Sequence, residues 1–468
     1  MSPTQTQYDV AIIGAGVCGS ALTYVLSQYT NIERIVLLEK CSDAAQVNSR
    51  VYNNSQTLHF GDIETNYTLQ KAEKVNRAAS LVKQYLLKYD AQQIIHSRYH
   101  KMVLAVGAEQ VHTLQQRYHE FKTLFPALWP IDRAEIDMVE PNILKGRDPK
   151  IPVSALFTEE GYAVDYQKLA RSFLDQVQQQ QAQQQTQQDN EVGDRTVDMR
   201  FDTRVQKLEK VGDRYRIFTD QRDQTDQQVI SAKTVVVAAG AYSLLFAKSL
   251  GYGHDYALLC VAGSFYRAQS ALNGKVYTMQ SKKLPFAAIH GDPEVHDPTI
   301  TRFGPTAKVL PLLERYRLST LGDYFKTAGL SLAAVLSFAA ILLDFTVFSY
   351  ICRNFLYDLP FIGKRLFIKE ARRIVPSITL AQLEYAKGYG GLRPQIVNMK
   401  KRGLDMGEAK LLGDRIIFNI TPSPGASTCL QTAEDDTERL ITFLGGGYRF
   451  DKARFLADLG SPAVVVSS

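Results

Sequence analysis

"YDVAIIGAGVCGSALTYVL", Tyr8–Leu26, decides the fold. Its first half is an apolar run suited to a buried strand. Its second half has helical composition, and a glycine turn lies between. Gly14, Gly16 and Gly19 fit the spacing G-x-G-x-x-G. The first glycine permits the tight turn, the second lets backbone approach a pyrophosphate, and the third lets the helix pack close to the strand. A second apolar strand, "RIVLLEK", ends in Glu39, where an acidic side chain can bind ribose hydroxyls. The glycines alone are a weak signal. Strand, helix and acid together predict a bound dinucleotide.

Two distant segments choose between NAD and FAD. "AKTVVVAAGAYS", Ala232–Ser243, is a second buried strand ending in Gly240 and small residues. It reads as the chain returning beneath a dinucleotide, which an NAD domain does not require. "NITPSPGASTCLQTAEDDTERL" follows the strand "DRIIFNI" and opens a helix that Ser427 or Thr428 can cap. Pro424, Gly425 and Ala426 let the chain approach a ring. A helix N-terminus aimed at a flavin would stabilise the anion that forms on reduction. Three segments on one FAD predict a discontinuous domain over 1–80, 160–250 and 395–468. An α+β substrate domain over 81–159 and 251–394 is inserted between its pieces.

The bulk numbers agree. A chain of 468 residues exceeds one compact core. Its 45% hydrophobic and 22% charged content is ordinary for a globular protein. A net charge of +6 suits an anionic substrate or membrane, and no segment resembles a nucleic-acid-binding arm. Five scattered cysteines with no metal-ligand spacing predict a reducing compartment and no metal site. No signal peptide is expected, because Val10–Ile13 is too short and leads into the glycine motif.

Elsewhere, glutamine-rich 176–194 predicts a disordered or frayed insertion. The apolar run at Leu330–Ile351 is long enough to suggest a membrane span. Asp344 interrupts it, and a single span would put the flavin segments on opposite sides of a membrane. Buried helices or monotopic contact around 328–373 remain. Lys364, Arg365, Lys369, Arg372 and Arg373 follow, a basic cluster suited to anionic lipid.

Chemistry-bearing residues fall in three places. "IHGDPEVHDPTITR" holds His290, Asp292, His296 and Arg302 in the expected substrate domain. "GYGGLRPQIV" sets Arg393 among glycines and a proline, where a guanidinium can clamp a carboxylate. "NSQTLHFGDIETNYT", Asn54–Thr68, crowds hydrogen-bonding side chains around a glycine soon after the second strand. Asn54, Ser55, Gln56 and Thr57 would bond the dinucleotide, with His59 and Gly61 near the flavin ring. These parts suggest oxidation of a 2-hydroxy acid. His290, beside Asp292, would take the hydroxyl proton while hydride leaves carbon 2 for flavin N5, and His59 is the next candidate base.

"NSQTLHFGDIETNYT" resembles the segment that malate:quinone oxidoreductases carry after their second strand, and "PSPGAST" resembles their C-terminal flavin segment. "GSFY", "GKVYTMQSKKLPFAAIHGDP", "FGPTA", "LPFIGKR" and "RPQI" follow in the family's order. The likeness covers nearly the whole chain and is strongest to the shorter epsilon-proteobacterial type. It implies a D-amino-acid-oxidase-like fold with non-covalent FAD, and oxidation of (S)-malate to oxaloacetate with electron delivery to quinone. It implies peripheral attachment to the cytoplasmic face of the inner membrane. The family's substrate histidine would fall on His290 and its carboxylate-binding arginine on Arg393. The glutamine-rich insertion and the Leu330–Ile351 run depart from the family pattern. The rival readings are an L-2-hydroxyglutarate dehydrogenase or oxidase of the same fold, and a flavin-binding protein without turnover.

Overall fold

A computed structural model describes residues 6–187, 195–221, 228–280, 288–328, 345–401, 403–405, 409–420 and 424–460. The first of three sheets runs Ala409–Gly413, Ile416–Ile420, Gln228–Val237, Gln7–Ile13, Arg34–Leu38, Thr196–Arg200. The hairpin Thr203–Val211/Arg214–Gln221 adds to it at Gln228–Val237. Gln7–Ile13 pairs in parallel with both neighbours, Arg34–Leu38 and Gln228–Val237. Central parallel strands are covered on both faces, which is why "VAII" carries no polar alternation. The helix Val17–Tyr29 is buried along nearly its whole length. It packs against the helices Tyr166–Gln187 and Cys429–Leu444.

The second sheet has the order Glu384–Tyr385, Tyr266–Gln269, Ile300–Gly304, His290–Pro293, Lys275–Thr278, His96–Val106, Val153–Val164, Trp129–Ile131. Its faces differ because side chains alternate along a strand. Met102, Leu104, Val276 and Phe303 share an apolar core with Phe367, Ile368, Ala371 and Ile374 of the helix Gly363–Ile374. Lys101, Lys275, His290, Asp292 and Arg302 are buried as well; Lys275, His290 and Arg302 all pair with Asp292, and Lys101 pairs with Asp62. The third sheet is antiparallel and pairs Tyr256–Ala262 with Leu392–Asn398. It sets Arg393 opposite Val261.

Several sequence expectations need correction. The glutamine-rich segment is helical as far as Gln187, in the helix Tyr166–Gln187. Glutamine is a good helix former, and buried Leu169, Phe173, Leu174 and Val177 anchor the preceding turns. Residues 188–194 lie outside the described residues. The expected boundary at 80 falls inside the helix Leu69–Tyr89, which Thr68 caps by accepting from Lys71 N at 3.3 Å. Ala72, Val75, Ala79, Val82 and Leu86 give that helix one continuous buried stripe. The boundaries at 160 and 395 likewise cut strands, Val153–Val164 and Leu392–Asn398. Of the apolar run Leu330–Ile351, residues 330–344 lie outside the described residues. The remainder opens the helix Phe345–Leu356. Among the described residues no helix is long and apolar enough to cross a membrane.

Candidate active site

A cavity of about 550 Å³ lies at the carboxyl ends of the central parallel strands, the usual ligand position in open α/β sheets. The glycine turn forms one part of its lining. Gly14 has φ +102°, and a Cβ there would stand 2.7 Å from the Ala238 carbonyl oxygen. A Cβ on Gly19 would stand 1.9 Å from the Gly14 oxygen, so this glycine sets the close approach of helix to strand rather than lining the cavity. The helix N-cap is Gly16, which has no side chain to cap the first amides, and no acid occupies the first turn. Val17 N donates to Ser49 Oγ at 3.2 Å, and the rest of this helix N-terminus suits an anion. Glu39 lines the same region, its Oε2 accepting from Ala15 N at 2.7 Å and its Oε1 from Cys41 N at 2.9 Å. Both bonds hold its carboxylate beside the turn.

The polar loop forms a second part, with Asn54, Ser55, Thr57 and His59 in the lining. Tyr166 OH donates to the Thr57 carbonyl at 2.8 Å, and Ser427 Oγ accepts from His59 N at 3.0 Å. The C-terminal segment is thereby pinned to the loop. Gln56 is a correction: it does not line the cavity. It is fully buried, and its side chain ties Val51 to Val295 through bonds of 2.9 Å and 3.0 Å. The third part brings Gly240, Gly391, Arg393, Pro424, Gly425, Ala426 and Ser427 together. Thr428 is buried outside the lining, with its hydroxyl donating to the Gly425 carbonyl at 3.2 Å. The long cavity, the glycine cradle and the helix N-terminus together fit FAD.

The histidines separate. His59 lines the cavity, and its Nδ1 lies 2.6 Å from Glu64 Oε1. An N–H on Nδ1 donates to the carboxylate, which leaves Nε2 as the basic nitrogen. Burial alone would raise the Glu64 carboxyl, but the hydrogen bond from His59 draws it below the ordinary value. His290 and Asp292, expected at the substrate, are buried and are not among the residues that line the cavity. The His290 ring stacks on Tyr277 with centroids 4.7 Å apart, and Tyr277 OH bonds Thr57 Oγ1 at 2.8 Å. Burial pushes the His290 imidazole down to about 3, against the pull of Asp292. Burial would raise Asp292, yet Arg302 and Lys275 hold it down to about 2. Arg302 Nη2 donates to Asp292 Oδ2 at 2.6 Å. His296 pairs with Asp165 at 2.8 Å, away from the cavity lining.

Sequence reasoning missed Glu64, Tyr277 and Phe265. Glu64 stood five residues past His59 in an irregular loop, where no periodicity predicts which side chains meet. Phe265 lines the cavity and lies over the Arg302 guanidinium. Arg393 is half-buried in the lining, and burial lowers its pKa, with Tyr350 opposing.

The family model of malate:quinone oxidoreductases (Mqo) matches residues 6–433. A probable malate:quinone oxidoreductase of Campylobacter jejuni is 41% identical over 459 residues, spanning 96% of this chain and 98% of that one. A malate:quinone oxidoreductase of Helicobacter pylori (strain ATCC 700392 / 26695) is 38% identical over 461 residues, spanning 97% and 98%. Among solved structures, L-alpha-glycerophosphate oxidase from Mycoplasma pneumoniae with FAD bound superposes with TM-score 0.61 at 18% identity, over 93% of this chain and 95% of that one. Glycine oxidase from Geobacillus kaustophilus gives 0.62 at 15%, over 96% and 98%. These two show the fold alone, the D-amino-acid-oxidase-like FAD fold. The glycine turn, the Ser427-pinned loop and near-complete coverage of the relatives lead to one assignment: the chain belongs to the malate:quinone oxidoreductase family.

Proposed function

We propose that the chain oxidises (S)-malate to oxaloacetate in the cavity that His59 and Arg393 both line, and passes the two electrons to quinone. FAD, when bound, supplies the acceptor for the hydride that leaves carbon 2. Gly14, Gly16, Glu39, Asn54, Ser55, Thr57, Gly240 and the Pro424–Ser427 segment, which all line the cavity, would hold it. Arg393 would receive a malate carboxylate through two parallel hydrogen bonds and so fix the orientation of the substrate. His59 Nε2 takes the hydroxyl proton as hydride departs. Glu64 keeps the His59 tautomer fixed and stabilises the imidazolium that results, as a carboxylate does in a catalytic triad. His290 stays neutral in the wall and steadies Tyr277, which in turn holds Thr57.

The observation that carries this reading is that His59 and Arg393, 334 positions apart in sequence, line one cavity with the glycine turn. The test is the absorption spectrum of the purified protein under anaerobic conditions. (S)-Malate should bleach the flavin band rapidly, and (S)-2-hydroxyglutarate should do so far more slowly. Faster bleaching by 2-hydroxyglutarate would move the assignment to its rival. No bleaching by either would remove the enzymatic reading.

We also infer peripheral contact with an anionic membrane, on its cytoplasmic face. Phe348, Phe355, Leu356, Leu359, Phe361 and Ile362 are exposed around the helices Phe345–Leu356 and Gly363–Ile374, with Phe361 92% accessible. Arg365, Lys369, Arg372 and Arg373 are exposed beside them. Apolar and basic residues together suit a headgroup region.

A further inference from the structure

A second cavity, of about 180 Å³, lies under the helices Phe345–Leu356 and Gly363–Ile374. Two observations connect it to the first. Pro305 lines both cavities, so they adjoin at that residue. Tyr350, in the second lining, packs in a small core with Val261, the register partner of Arg393 in the first lining. The helix Phe345–Leu356 also presents two faces. Tyr350, Arg353 and Asn354 face the second cavity, whereas Phe348 and Phe355 are exposed. The spacing i, i+3, i+4 against i, i+7 separates these faces on one helix.

The lining has two kinds of wall. Ile289, Pro305, Tyr357 and Phe367 offer flat apolar surface, and Tyr357 and Phe367 meet edge to face at 5.4 Å. Arg353, Arg373 and Glu370 form a polar side, with Arg373 3.1 Å from Glu370. Ligand sites commonly combine an apolar cleft with a few convergent polar groups. A flat ring with two opposed carbonyls fits both walls, and its isoprenoid tail would leave along the exposed phenylalanines.

We propose that this second cavity binds the quinone headgroup, so that malate and quinone occupy separate sites on either side of Pro305. The proposal rests on the malate:quinone oxidoreductase reading. The chemistry balances: malate gives up a hydride and a proton, and the quinone takes the same two electrons with two protons to become a quinol. Electrons then pass between adjoining cavities, and the lipid-soluble acceptor never enters the malate site.

The test fills the cavity from two sides with Ala288→Phe, beside Ile289, and Arg353→Trp, on the exposed helix. Flavin content reports folding of each variant. Stopped-flow absorbance measures bleaching by malate, then recovery with decylubiquinone, with ferricyanide as the water-soluble control. Equilibrium dialysis measures menadione binding to the oxidised protein. The expected result is recovery with decylubiquinone slowed at least about tenfold, weaker menadione binding, and unchanged bleaching and ferricyanide oxidation. Unchanged decylubiquinone recovery and menadione binding in both variants would overturn the proposal. So would slowed bleaching by malate with normal quinone recovery, since the cavity would then serve malate. Wild-type protein that malate does not bleach would overturn the oxidoreductase reading itself.

Discussion

His59 and Glu64 are joined by a 2.6 Å contact between Nδ1 and Oε1, in a loop held at the cavity by Ser427. The Glu64 carboxylate is buried, so its charge acts on the imidazole through little water. We propose His59 as the base on the strength of this pair; His290 stacks on Tyr277 and is not part of the cavity lining. His59→Gln should cut kcat by roughly 10²–10⁴, the usual contribution of a positioned general base, with FAD still bound. His290→Gln should cost far less. Stopped-flow bleaching by malate distinguishes them, and equal losses at the two positions would return His290 to the chemistry.

His290 instead makes stability depend on pH. The unfolded imidazole takes a proton near 6.5, while burial holds the folded one down to about 3. The unfolded state therefore binds more protons between those values, and stability falls as pH falls through that window. From pH 7 to pH 5 the loss from this residue is about 2 kcal/mol. Denaturant unfolding of His290→Leu should show a shallower decline over that interval than wild type. Parallel pH profiles would mean that His290 is not kept neutral by its surroundings.

Arg393 is expected to act by geometry as well as charge. Lysine keeps the charge and loses the planar fork. Charge-assisted hydrogen bonds contribute about 1.5–3 kcal/mol, so Arg393→Lys should lower kcat/KM for malate about 10- to 100-fold. Ferricyanide oxidation of chemically reduced enzyme should not change. A normal KM for malate in this variant would assign the carboxylate to another cation.

FAD is expected to be non-covalent. Nδ1 of His59 is engaged by Glu64, and Cys18, which lines the cavity, lies near the glycine turn in sequence. Acid precipitation should carry the yellow colour into the supernatant. Colour that stays in the pellet would demand a tether, with His59 Nε2 as the first position to examine by peptide mass.

Much of the cofactor site was legible because its determinants are local. Gly14, Gly19 and Glu39 act through backbone geometry within one strand–helix–strand unit, and that geometry has a fixed spacing. Arg393 stood out because glycines and a proline flank it. The substrate wall was harder to read. Tyr277 and His290 meet as register partners on neighbouring strands, as do Asp292 and Arg302, and a single sequence carries no register. The stacking of His290 on Tyr277 therefore could not be read from the sequence, and His290 was weighed on its carboxylate neighbours alone. Gln56 misled for a related reason. Its amide satisfies buried backbone at Val51 and Val295, a demand set by tertiary structure.

The membrane prediction draws on the exposed face beside the second cavity. Quinone dissolves in lipid, so its mouth must open toward the bilayer. The helix Gly363–Ile374 buries Phe367, Ile368, Ala371 and Ile374 and turns Arg365 and Lys369 outward, with Lys364 at its start. A basic side chain near an anionic surface contributes about 1 kcal/mol, and salt screens it over about 10 Å at 0.1 M. Reversal of Lys364, Arg365 and Lys369 to Glu should therefore weaken flotation with phosphatidylglycerol liposomes strongly, and high salt should do the same to wild type. Apolar insertion at Phe361 acts with these charges, so Phe361→Asp should weaken binding even at low salt. Turnover with ferricyanide should survive all four substitutions, because none touches the malate cavity. Turnover with a long-chain quinone in liposomes should fall with binding. Binding that resists both salt and the reversals would show that the basic residues are simply solvated. Attachment would then rest on the apolar side chains alone, and Phe361→Asp would abolish it by itself.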